Sequence, residues 1–174
     1  MKLYLVRHGQ ATSNVNKLYN TYEDDLTEVG INQAKILADL IKDIDYDVLI
    51  SSPLIRCLHT ANIINVKNKE IITDDSLKER DAGNLKGTPL ANTNREEYWN
   101  YNTTLVQGEY EDIKEFFKRI SAFLDKLKMK EYKSVLIVAH SGVSKAIDAY
   151  FNGLGDGFFL NKGLNNCEIK EYDL

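Results

Sequence analysis

The sequence predicts an α/β protein: a three-layer α/β/α sandwich with a mostly parallel central sheet and helices on both faces. Three observations carry that expectation. Short apolar runs alternate with helical stripes along the chain. One run, SVLIVA at 134–139, is continuously apolar after its first residue, as a strand covered on both faces must be. No internal repeat and no Pro/Gly/Ser-rich linker interrupts the alternation across 174 residues. Such a pattern implies right-handed crossovers and parallel pairing. A chain of this length buries a core without disulfide or metal staples, and a single domain over 1–174 is expected.

Residues 2–7 are rich in strand formers and read as the first strand. Over 27–44, Ile31, Ala34, Leu37, Ala38 and Ile41 recur at helical spacing, with Thr27 placed as the N-cap. YDVLIS (46–51) reads as a second strand. Ser52-Pro53 then suggests an N-cap followed by proline at the first helical position, opening a helix to about residue 65. EIITD (70–74) is a weaker strand. Residues 84–108 are irregular, with one short helix near Glu96–Tyr101. From 110 to 130, Ile113, Phe116, Phe117, Ile120, Leu124 and Leu127 define one helical face. After the 134–139 strand come a helix over about 142–152 and a final strand near 166–172.

The formal net charge is −4, which argues against a polyanion-binding surface and hence against a nucleic-acid partner. The lysines at Lys67–Lys69 and Lys126–Lys133 read as a solvated loop and an outer helix face. Two cysteines, Cys57 and Cys167, do not make a disulfide framework. The apolar run before Arg7 is too short for a signal peptide, and no stretch is long enough to span a membrane. A cytoplasmic protein without a membrane partner is expected; oligomeric state leaves no sequence signal.

In a parallel sheet, ligands bind beyond the carboxyl ends of the strands. The first strand ends at Arg7-His8-Gly9, and the strand at 134–139 ends at His140, with Ser141-Gly142 and a helix after it. Arg56 falls in the first turn of the helix after Ser52, and side chains there lean back toward the helix start. Two of the three histidines and two of the five arginines are thus expected on one edge of the sheet. Arginine in a first helical turn opposes the helix dipole, so the cluster calls for an anion. Paired guanidinium forks suit phosphoryl oxygens. Gly9 is expected to let the backbone turn sharply toward the ligand. Cys57-x-His59 is not a zinc spacing, and adjacent arginines oppose a divalent cation; no metal and no cofactor are expected.

On these residues the chain resembles the histidine phosphatase superfamily, which includes cofactor-dependent phosphoglycerate mutases. LYLVRHGQATSN is similar to that family's nucleophile segment and DDLTEVGINQA to the helix start after it. SSPLIRCLHTA resembles the segment with the second arginine, SLKERDAGNLKG the one with the acidic residue, and VLIVAHSG the one with the second histidine. The resemblance implies His8 as a nucleophile that becomes phosphohistidine, with Arg7, Arg56 and His140 around the phosphate. It implies Glu79 as proton donor to the leaving group, and Gln10, Asn14 and the backbone of Ser141 as pocket groups. On position alone Glu79 reads as part of a charged surface turn, and only the resemblance gives it a role. Thr27 keeps its reading as a cap.

The implied activity is metal-independent hydrolysis of a small phosphorylated substrate. The family often has an aromatic residue where Ala82 stands, an acidic one where Lys86 stands, and glycine where Ser141 follows His140; these departures bear on the substrate. Mutases of the family are longer, and only 34 residues follow His140, which favours hydrolysis over transfer. Residues 84–108 are expected to cover the site. There Trp99 or Tyr98 either walls the pocket or, in the case of Trp99, anchors the short helix to the core.

Overall fold

The structure, a computed structural model, describes residues 1–104 and 109–174. In chain order the elements are β1 (Lys2–Arg7), α1 (Thr12–Asn16), α2 (Glu28–Ile41), β2 (Val48–Ser51), α3 (Ile55–Ile64), β3 (Ile71–Thr73), α4 (Arg95–Tyr98), α5 (Ile113–Lys128), β4 (Ser134–Ala139), α6 (Ser141–Asn152) and β5 (Ile169–Asp173). The five strands form one sheet in the order β3-β2-β4-β1-β5. All neighbours pair in parallel except β5, which runs antiparallel to β1 at the edge.

Strand side chains point alternately to opposite faces, and the two faces build two cores. Leu3, Leu5, Val135, Ile137 and Ala139 meet α5 and α6 through Phe116, Ile120, Leu124, Val143 and Ile147. Val6, Leu49, Leu136 and Val138 meet α2 and α3 through Ala34, Leu37, Ile41, Ala61 and Ile64. The result is the three-layer α/β/α arrangement expected from the alternation. Thr27 caps α2, its hydroxyl accepting the Gly30 N–H at 3.1 Å, and Asp112 caps α5 in the same manner.

Local readings differ in three places. The helix after β2 begins at Ile55 with Leu54 as its N-cap, so Ser52 does not cap it. Ser52 is instead recruited by β4, bonding its backbone N–H to Val138 O at 2.9 Å and its hydroxyl to His140. The short turn α1 was not expected from the sequence; it is too brief for periodicity to register. Gly9 has no positive φ. It is glycine because a Cβ there would lie 2.5 Å from Gly30 O, where β1 hands over to a loop crossing α2. Within 84–108, the short helix is α4, and residues 105–108 lie outside the described residues.

Candidate active site

Register places the two histidines side by side. Arg7 is paired with Ala139 across β1 and β4, and the His8 N–H donates to Ala139 O at 3.0 Å. The next residues, His8 and His140, therefore stand beyond adjacent strand ends, with ring centroids 5.2 Å apart in an edge-to-face arrangement. Both are buried, at 2% and 1% exposure. Burial, and then the charges of Arg56 and Arg7, hold the His8 imidazole well below its ordinary range. Burial, Arg56, His8 and Arg7 do the same to His140. Both rings are neutral at neutral pH.

Neutrality makes the tautomer matter. His8 Nδ1 is 2.7 Å from the carbonyl oxygen of Gly9, which only accepts, so Nδ1 carries the proton. Nε2 is left with its lone pair. His140 Nε2 lies 2.8 Å from the Ser52 hydroxyl and 3.4 Å from Cys57 Sγ. Cys57 is fully buried and burial pushes its thiol up to about 12, so it is packing rather than a nucleophile.

Two arginines flank His8. Arg7 Nη1 donates to Leu164 O at 2.8 Å and Arg56 Nη1 to Thr21 O at 3.0 Å. The Nε of each is buried without a hydrogen-bond partner among the described residues. Arg56 is completely inaccessible. Burial and the neighbouring Arg56 depress the Arg7 guanidinium, opposed by Glu79. One buried and one half-buried cation, each with an orphaned Nε donor, beside a neutral imidazole form a strongly electropositive anion site.

Glu79 reaches the same cavity from the turn after β3. Its Oε1 accepts the Arg80 N–H and its Oε2 the Gly142 N–H, both at 2.9 Å. The turn is braced from below. Arg80 is 4% exposed, lies 4.1 Å over the Tyr98 ring, and donates from Nε to Glu111 O at 2.8 Å. Arg119 forks onto Glu111 at 3.0 and 2.8 Å and reaches the carbonyls of Ser76 and Lys78. The charged run LKERD is thus tied to the core through Arg80 and the Lys78 carbonyl, which its composition did not reveal.

Arg7, His8, Asn14, Arg56, Glu79 and Ser141 all line one cavity of about 630 Å³. Asn14 Oδ1 accepts the Ala11 N–H at 3.0 Å and an Asn166 amide hydrogen at 3.3 Å. Two expected residues do not line it. His140 stands behind His8, and the Gln10 side chain turns to Thr27, whose hydroxyl donates to Gln10 Oε1 at 2.9 Å. Tyr98 and Trp99 both wall the cavity and both belong to the core, at 4% and 7% exposure. Sequence reasoning missed Asn166, which donates to His8 O at 2.9 Å, and Lys145 and Arg95 on the cavity wall. The available signal for Lys145 was a lone lysine among Val143, Ala146 and Ile147. Among the described residues, no group of His, Cys, Asp and Glu is arranged to hold a metal ion.

The sequence model of the histidine phosphatase superfamily, branch 1, matches residues 3–174. The chain belongs to that family. This histidine phosphatase is 32% identical over 174 residues to an uncharacterized phosphatase, PhoE, of Bacillus subtilis, across 96% of this chain and 88% of that one. It is 30% identical over 184 residues to a Proteus mirabilis chain named as a phosphoglycerate mutase, GpmB, across 99% and 85% of the two. Among solved structures, the alpha-ribazole phosphatase of Shigella flexneri superimposes with a TM-score of 0.86 at 26% identity, over 100% of this chain and 91% of that one.

Proposed function

We propose that this histidine phosphatase hydrolyses small phosphate monoesters through a phosphohistidine on His8. One observation carries the reading. His8 is held neutral, with its proton fixed on Nδ1, beside Arg7 and Arg56, whose buried Nε donors lack partners among the described residues.

In the first step the Nε2 lone pair attacks phosphorus, the N–P bond forms and the ester P–O bond breaks. Glu79, in its acid form, gives its proton to the departing alkoxide, which leaves poorly without one. In the second step the Glu79 carboxylate takes a proton from water, whose oxygen attacks phosphorus and breaks the N–P bond. Splitting one displacement into two lowers each barrier. Arg7 and Arg56 counter the charge that spreads over the phosphoryl oxygens. His140, bonded to Ser52, backs the His8 ring and holds it in place. None of these steps calls on a metal ion.

The relatives named as phosphatases favour hydrolysis; those named as mutases supply the second reading, transfer to another hydroxyl. Phosphate release from p-nitrophenyl phosphate and alkyl phosphates, with EDTA present, tests the first. No release from any ester sinks the hydrolase, and undiminished release by His8→Ala sinks the mechanism. Bisphosphate-dependent interconversion of phosphoglycerates, faster than phosphate release, selects the mutase.

A further inference from the structure

The side chain of Gln10 turns away from the cavity, but its backbone stands in a line of contacts that reaches His8. The peptide unit between Gly9 and Gln10 is gripped at both ends. Its carbonyl oxygen, Gly9 O, lies 2.7 Å from His8 Nδ1. Its N–H, on Gln10, donates to Gln33 Oε1 at 2.8 Å. A backbone N–H only donates, so the side-chain oxygen of Gln33 faces the loop, and not its nitrogen. The peptide unit before it is steadied as well. The Gly9 N–H donates to the Thr60 hydroxyl at 3.1 Å, and His8 O accepts an Asn166 amide hydrogen at 2.9 Å. Thr60 is fully buried and gives its own hydrogen to Arg56 O at 2.7 Å, which leaves a lone pair for Gly9.

Two glycines bring Gln33 into reach. A Cβ on Gly9 would lie 2.5 Å from Gly30 O, and one on Gly30 would lie 2.1 Å from Gln10 O. With no side chain at either place, α2 lies directly against the loop after β1. Gln33 follows three residues after Gly30, on the same face of the helix, and so meets the Gln10 N–H.

A neutral imidazole can carry its proton on either nitrogen. Only the form protonated at Nδ1 offers the Nε2 lone pair to phosphorus. As the N–P bond forms, positive charge grows on the ring, and the bond from Nδ1–H to Gly9 O strengthens with it. A peptide whose N–H is itself bonded is a better acceptor at its oxygen. We propose that Gln33 is a positioning residue for His8: by fixing the Gly9–Gln10 peptide unit it keeps the His8 proton on Nδ1 and the lone pair on Nε2. Gln33 does not line the cavity and acts through the backbone alone. The inference rests on the phosphatase reading only for what that lone pair attacks.

Nitrogen-15 NMR of the His8 ring tests it without turnover, the His8 signals being those lost in His8→Ala. Near pH 7 the wild type should show Nδ1 protonated and Nε2 bare. Gln33→Met, at a half-buried position, should fold and move His8 toward a mixture of the two tautomers. Its kcat/KM on p-nitrophenyl phosphate should fall on the order of ten- to a hundredfold, as when the outer partner of a functional histidine is removed. Gln33→Glu keeps an oxygen against the Gln10 N–H and should retain both the tautomer and the rate. A wild-type His8 with its proton on Nε2 overturns the inference whatever the variants do. So does a Gln33→Met chain that loses rate with its tautomer unchanged, the behaviour of a merely structural residue. A tautomer shift without loss of rate overturns it too. A wild type with the expected tautomer, mixed in Gln33→Met, that releases no phosphate from any ester sinks the hydrolase and leaves the positioning role standing.

Discussion

Glu79 and Gly142 meet where α6 begins: the Gly142 N–H donates to Glu79 Oε2 at 2.9 Å. A Cβ on Gly142 would lie 2.0 Å from Glu79 Oε1 and 2.7 Å from the Trp99 ring. The first turn of α6 therefore accepts the acid only because residue 142 has no side chain.

Gly142→Ala should fold if the Trp99 ring edge gives a little while the end of the Glu79 side chain moves, and it should push Glu79 off its donors. Misplacing a catalytic group by about 1 Å costs on the order of a hundredfold. Turnover of alkyl phosphates should fall by roughly that factor, while the thermal midpoint moves by a few degrees at most. Rates and melting curves on the same preparation check this; an unaltered rate would remove Glu79 from the mechanism.

Glu79→Gln tests proton donation directly. Alkoxide leaving groups need the proton and p-nitrophenolate scarcely does. The substitution should lower kcat on alkyl phosphates by about 10²–10⁴ and on p-nitrophenyl phosphate by far less. Equal losses on both would mean that Glu79 only holds the turn together.

His8→Ala should abolish turnover on every ester while leaving the fold intact. Wild type quenched in alkali during turnover of a phosphorus-labelled ester should carry label that acid removes, the signature of a phosphorus–nitrogen bond. Arg56→Met should keep the label from forming, because the buried clamp no longer offsets the phosphoryl charge. Label persisting in His8→Ala would place the intermediate elsewhere.

The neutral histidines also make stability depend on pH. In the unfolded chain each titrates near 6.5, whereas the folded values lie well below. Below pH 6.5 the unfolded state binds protons that the folded state refuses, so stability is full above that pH and is lost as pH falls through it. Two such groups give a slope of at most about 3 kcal/mol per pH unit. Lys145, lowered to about 7 from 10.5, acts in the same sense between those values. Urea midpoints from pH 7 down to pH 5 should decline steeply, and His8→Asn should flatten the decline. A flat profile would show the rings charged in the folded state.

Much of this was legible in the residues. β4 was legible because a run covered on both faces has no polar position, and α5 because Phe116, Phe117, Ile120 and Leu124 keep strict helical spacing. Strand ends then led to Arg7, His8 and His140, since parallel topology confines ligands to that edge. What escaped was tertiary in origin. Ser52 looks like a cap until β4 brings His140 within 2.8 Å of it. Arg80 looks like a solvated charge until Tyr98, Tyr110 and Trp99 close around it. Asn166 carries no local pattern and Lys145 only its apolar neighbours in sequence; the packing of the 160–167 loop against α6 and β1 gives both their place.

That loop has a consequence in time. Arg7 is bonded to Leu164, His8 to Asn166, and the backbone of Cys167 to Arg7 and His8, across more than 150 residues of sequence. His8 leaves the ribosome well before the loop that walls it. A growing chain thus carries a histidine it cannot use. If His8 is the nucleophile, phosphate release should begin only once β5 has docked beside β1, and an assay of release during refolding would time that docking.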